Sequence, residues 1–218
     1  MDMTIIQLLI IVTYAVISTP IIVMISRYFL EGEEIFIKEA IGIGMLLLTV
    51  GALTISYSYN SIQDLIMMLF IVIVGVIDYH TKSIVSAMMY LGGILFVILA
   101  FSKGMLLKDV IFGGISGFVI YGLIYFIAKA IYKKEAFGFG DVMFMCVIGL
   151  YLGVKLTLLA ALLTFYVALI WILISKIIGS VVKRQMEIAF APFMSVSCII
   201  TALFGEEIIK LYMTLFMV

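Results

Sequence analysis

Charged side chains are scarce in this sequence: they make up 12% of 218 residues, while 66% are hydrophobic. A soluble core cannot absorb that much apolar surface, so the composition excludes an ordinary soluble domain and places the chain among integral membrane proteins. The 13 basic and 13 acidic residues cancel, and no basic block interrupts the chain. There is therefore no argument for DNA or RNA as a partner. Cysteine is rarer still. Cys146 and Cys198 both sit inside apolar runs and form no CxxC pair. A cysteine-built zinc site is excluded, and both are read as packing residues. The first apolar run begins at Met3 with no basic flank and no small-x-small cleavage site. It is read as a retained span rather than a removed signal.

Long apolar runs are what the chain has in abundance. A transmembrane helix needs about 20 apolar residues. By that measure the sequence predicts spans near 3–26, 40–57, 62–79, 84–101, 109–131, 141–153, 156–178 and 188–216. The expected fold is an all-α, polytopic membrane helix bundle of about eight spans, with seven as the alternative because the sixth segment is short. No long linker, low-complexity tract or internal repeat divides it, so residues 1–218 read as a single domain. Gly113 and Gly117 form a small-xxx-small pair in the fifth span, which points to close approach of a neighbouring helix.

Lys and Arg in short connections favour the cytoplasmic side. With the N-terminus outside, Arg27, Lys38, Lys82, Lys129, Lys133, Lys134, Lys176, Lys183 and Arg184 fall inside, and only Lys103, Lys108, Lys155 and Lys210 fall outside. That orientation is the one expected.

Within this apolar frame one stretch stands out: Ala136-Phe137-Gly138-Phe139-Gly140-Asp141, which sets a carboxylate at the mouth of a greasy segment. An acid there is costly unless it reaches water, pairs, or does chemistry in a protein-lined cavity. Asp78, at the end of the third run, is read as the one other acid in a comparable setting. Its helix runs inward and that of Asp141 runs outward, so both carboxylates are expected at the cytoplasmic face. Two carboxylates that share a proton can divide the roles of base and acid. One takes a proton from water and the other protonates a leaving amide nitrogen, with no metal, cofactor or covalent intermediate required. Gly138 and Gly140 lack side chains, which would let an extended peptide lie close to Asp141.

These strings carry a resemblance. Gly138-Phe139-Gly140-Asp141 resembles the GxGD signature of intramembrane aspartic peptidases. Together with Asp78-x-x-Thr81-x-x-Ile84 and Phe190-Ala191-Pro192-Phe193, the set is similar to the prepilin leader peptidases of the type IV pilus system and their preflagellin relatives, across roughly residues 62 to 205. Val85, Met143 and Ala191 stand where that family often has proline, lysine and glycine. None of these departures removes a carboxylate.

The resemblance implies an aspartic endopeptidase with Asp78 and Asp141 catalytic. Gly138, Gly140, Thr81 and Lys82 are then assigned to substrate binding, although a cytoplasmic anchoring role explains Lys82 equally well. The implied partner is a pilin-like precursor with a short basic leader and a hydrophobic helix after the cut. Glu31, Glu33 and Glu34 are expected to attract that leader. Longer family members carry a methylating insert with paired CxxC motifs. The short Arg27–Glu39 connection and the missing cysteine pairs predict cleavage without N-methylation. His80, the single histidine, is read as an interfacial spectator.

Two readings compete. In one, the acids are ion sites of a small proton- or cation-coupled transporter, a class that often shows inverted repeats and broken helices near the midplane. The sequence offers neither feature. In the other, the chain is a non-catalytic assembly subunit, for which replacing either aspartate by asparagine would leave precursor processing unchanged.

Overall fold

The computed structural model describes residues 5–29, 43–47, 49–52, 54, 61–132, 137–178 and 188–216. Among these residues every regular element is a helix: α1 (Ile5–Phe29), α2 (Ile43–Ala52, residue 48 excepted), α3 (Ser61–Thr81), α4 (Ser86–Ser102), α5 (Leu107–Tyr132), α6 (Phe139–Ile177) and α7 (Ala191–Phe216). Helix is what such apolar sequence must form in lipid, because each backbone N–H and C=O then finds its partner within the segment.

Four helices, α3, α5, α6 and α7, are long and apolar enough to cross a membrane, and α1, α2 and α4 contribute shorter apolar stretches. The expected count of eight spans is not reproduced as eight separate long helices. The predicted segments 141–153 and 156–178 are one 39-residue element, interrupted at Gly153, whose backbone is left-handed and extended (φ 73°, ψ 173°). Glycine has no Cβ to oppose that conformation.

The chain doubles back at this residue. Tyr121 and Gly122 of α5 touch both halves of α6: a Cβ on Gly122 would lie 3.9 Å from Val142, while the Tyr121 and Phe165 rings are 6.0 Å apart. Residues 142 and 165 therefore lie at one level, and Gly153 sits at the far end of the bundle. Sequence alone located this interruption between two apolar runs, and the structure supplies the reversal.

Helices α5 and α6 meet backbone to backbone. A Cβ on Gly113 would overlap the Gly149 carbonyl oxygen, and one on Gly117 would overlap that of Met145. The small-xxx-small reading of Gly113 and Gly117 is thus borne out, in keeping with the van der Waals contact that drives association where lipid is as apolar as the side chains.

Helix α7 runs antiparallel to the second half of α6. The Thr164 and Ser197 hydroxyls are 2.6 Å apart, and Lys155 Nζ lies 2.8 Å from Glu206. It also runs antiparallel to α3, with Ser195 Oγ donating to the Ile71 carbonyl at 2.8 Å and Cys198 Sγ 3.7 Å from Met67 Sδ. Both cysteines are free, with Cys198 buried and Cys146 half-buried, as packing residues should be.

This arrangement gives the bundle two distinct ends. Asp78, Asp141 and Ala191 lie at one. Asp64, Lys103, Tyr151 and Gly153 lie at the other. Asp64 corrects the sequence reading, which recognised two acids in membrane settings. It is a third, 3% exposed, accepting a hydrogen bond from Tyr151 Oη and lying 3.4 Å from Lys103 Nζ.

Candidate functional site

The site is built where α3 ends and α6 and α7 begin. Three features close α3. Thr81 Oγ1 sits 2.8 Å from the Ile77 carbonyl oxygen and 3.0 Å from that of Ser83, and it accepts from the Ser83 amide at 3.3 Å. Lys82 N donates to the Asp78 carbonyl at 2.7 Å. Lys82 also takes a left-handed conformation (φ 52°) that ends the helix, as residues just past a helix terminus often do. Its side chain is exposed. The chain then turns through Ser83–Val85 into α4 and presents Ile84 to the start of α6.

Asp78 lies one turn back from Thr81 and is 4% exposed. Its Oδ2 accepts the backbone N–H of Ala191, the first residue of α7, at 2.9 Å. The first amides of a helix have no partners within the helix and carry partial positive charge, so a carboxylate is well matched to that position.

Asp141 occupies the first turn of α6 and is 8% exposed. Its amide donates to the carbonyl of Gly138, the extended N-cap residue, at 3.2 Å. The carboxylate folds back over that residue, so a Cβ on Gly138 would stand 3.0 Å from Asp141 Oδ2. A Cβ on Gly140 would meet Ile84 Cβ at 2.8 Å. One glycine thus makes room for the acid itself, and the other seats α6 on the α3–α4 turn.

Of the residues expected from sequence, Asp78 and Asp141 come together. They arrive on different helices, are nearly enclosed, and lie within Coulombic range of each other. Two enclosed carboxylates on neighbouring helices are the groups that an acid–base pair requires. Thr81 and Lys82 close α3 just after Asp78, and Gly138 and Gly140 lie in the chain just before Asp141. His80, next to Asp78 in sequence, sets its ring edge-on to Tyr79, with centroids 5.3 Å apart. Glu31, Glu33 and Glu34 lie outside the described residues. Among the described residues no group of three or more His, Cys, Asp or Glu is arranged to hold a metal.

Sequence reasoning missed the Ala191 amide, because a backbone donor has no side-chain signature. It also missed Tyr121, one of 12 tyrosines, which is fully buried behind the site.

Fold and site together define a helical membrane protein in which two enclosed carboxylates lie near each other at one end of the bundle. The profile of the type IV leader peptidase family matches residues 65–173, half of the chain, and the protein belongs to that family. It is also similar to a prepilin leader peptidase/N-methyltransferase from Stutzerimonas stutzeri, with 24% identity over 137 residues, covering 60% of this chain and 44% of the relative. The match thus spans less than half of that relative's length. No solved structure gives a significant match.

Proposed function

We propose that this protein is an intramembrane aspartic endopeptidase that removes the basic leader from pilin-like precursors at the cytoplasmic face of the cell membrane. Asp78 and Asp141 act as the acid–base pair. The ionised carboxylate takes a proton from water as the water oxygen adds to the scissile carbonyl carbon. The protonated carboxyl then delivers its proton to the amide nitrogen as the C–N bond breaks. At the end of the cycle one proton again resides on the pair, and no covalent intermediate is formed.

The observation that carries this reading is the placing of two buried carboxylates, from α3 and α6, within Coulombic range of each other in a chain of a peptidase family. The Ala191 amide fixes Asp78, and the Gly138 turn leaves space for Asp141. Gly138, Gly140, Thr81 and Lys82 are the surface against which the leader junction lies, with Lys82 the exposed charge at its edge. The reading includes cleavage without N-methylation, supported by the short Arg27–Glu39 connection, which has no CxxC motif.

The test is incubation of the purified protein in lipid with a candidate prepilin, followed by mass spectrometry of the product. Cleavage that yields an unmodified new N-terminus, and that is lost in both Asp78→Asn and Asp141→Asn while folding is retained, is the expected result. Processing that survives either substitution would remove the aspartic mechanism.

A further inference from the structure

Four aromatic side chains lie together behind the two aspartates: Tyr121 from α5, Phe137 just before α6, Phe165 from its second half and Phe190 just before α7. The ring centroids of Tyr121 and Phe137 are 5.6 Å apart, those of Phe137 and Phe190 5.4 Å, those of Tyr121 and Phe190 6.3 Å and those of Phe165 and Phe190 5.6 Å. These spacings and tilts are those at which aromatic pairs attract.

The positions of the two phenylalanines in the chain matter more than the contacts alone. Phe137 directly precedes Gly138, whose carbonyl holds the Asp141 amide. Phe190 directly precedes Ala191, whose amide holds Asp78. The rings therefore join the two backbone segments that fix the two carboxylates, and Tyr121 packs against both. Its ring is wholly enclosed. Its hydroxyl is buried beside Thr164 and makes no well-formed hydrogen bond among the described residues. A phenylalanine would fill the same space without burying an unanswered hydroxyl, so ring and hydroxyl can be separated by substitution.

We infer that Tyr121 is a positioning residue whose ring, through Phe137 and Phe190, sets the separation between Asp78 and Asp141. The inference rests on the proposed peptidase reading for its kinetic consequence and on the packing alone for its geometric one. A small error in the placing of reacting groups costs far more in turnover than in binding. Leucine at position 121 removes the plane on which both phenylalanines rest and leaves the part of the substrate surface held by the end of α3, around Thr81, in place.

The experiment has two readouts. With purified enzyme and a prepilin substrate, Tyr121→Leu lowers kcat by about 10- to 100-fold while KM changes by less than about threefold, and Tyr121→Phe restores kcat to within about threefold of the parent. Independently of any cleavage, a chain carrying Cys146→Ala, Cys198→Ala, Asp78→Cys and Asp141→Cys is treated with a short thiol-bridging reagent. Bridging falls when Tyr121→Leu is added and is retained with Tyr121→Phe. Equal bridging in all three backgrounds would overturn the inference. So would a loss of kcat in Tyr121→Phe as large as in Tyr121→Leu, since the hydroxyl would then be the acting group. If cleavage proves independent of Asp78 and Asp141, the peptidase reading fails, and the bridging result still decides whether Tyr121 sets their separation.

Discussion

Helix α3 carries a buried aspartate near each end, and the two differ in almost nothing except their neighbours. Asp64 and Asp78 are 3% and 4% exposed. Around Asp64 the bundle supplies a tyrosine hydroxyl and a lysine ammonium, and that ammonium also lies 4.1 Å from the centre of the Tyr151 ring. The acid is answered, and its surroundings tie α3, α4 and α6 together. Around Asp78 the bundle supplies a helix-end amide and a second carboxylate. That acid is held in place, and among the described residues no cation is paired with it. A buried acid in a membrane helix is thus not by itself a sign of chemistry. A second enclosed acid close by is the feature that marks Asp78 for the proposed acid–base role.

This contrast can be broken by exchanging the fates of the two ends. The largest effect is expected at the unanswered end: Asp78→Asn or Asp141→Asn should reduce prepilin cleavage by about 1,000-fold or more with little change in thermal midpoint, since general acid–base catalysis by one group contributes 10²–10⁴-fold. At the answered end the order reverses. Asp64→Ala should cost about 2–3 kcal/mol of stability, measured by unfolding in detergent, because it strips Tyr151 of its acceptor and Lys103 of its counter-charge. Cleavage per folded molecule should stay near the parent value. A large loss of turnover with unchanged stability in Asp64→Ala would show that the two ends are not distinct in kind.

Smaller effects sharpen the picture of how the acidic end is assembled. Gly140→Ala brings a Cβ within 2.8 Å of Ile84 Cβ. It should destabilise by about 1–3 kcal/mol, as overpacking does. Combined with Ile84→Gly, itself destabilising because Ile84 packs on the core, the two losses should be less than additive, and full additivity would mean that the glycine serves something other than this seat. Lys82→Gly should stabilise the fold by about 1 kcal/mol by relieving a left-handed backbone on a residue with a side chain. Any accompanying rise in KM would then report the contribution of the lysine charge to substrate capture.

The parts of this arrangement legible in the sequence were those written in side chains. Asp78 and Asp141 stood out because a carboxylate at the end of an apolar run is expensive, and the glycines around Asp141 stood out because they leave open space beside the acid. Gly113 and Gly117 announced the α5–α6 contact through their spacing. Asp64 was passed over because it lies at the edge of a predicted span, where an acid is unremarkable. What lets it be buried is its pairing with Lys103 and Tyr151, 39 and 87 residues away, and such pairing follows only from the packed fold. The hold of Ala191 on Asp78 was illegible for a different reason, since every residue but proline carries the same amide. The reversal at Gly153 turned two predicted runs into one broken helix, because an apolar count finds segments but not the angle between them.

The Ala191 amide gives Asp78 a second duty with a practical side. Asparagine at position 78 keeps an oxygen that can receive that amide, whereas alanine leaves the opening of the last helix without its anchor. Asp78→Asn is therefore the variant suited to trapping an uncut precursor on an intact scaffold. Asp78→Ala would blend a silenced reaction with a loosened C-terminal helix, and a difference between the two variants would measure how much of this acid's work is architectural.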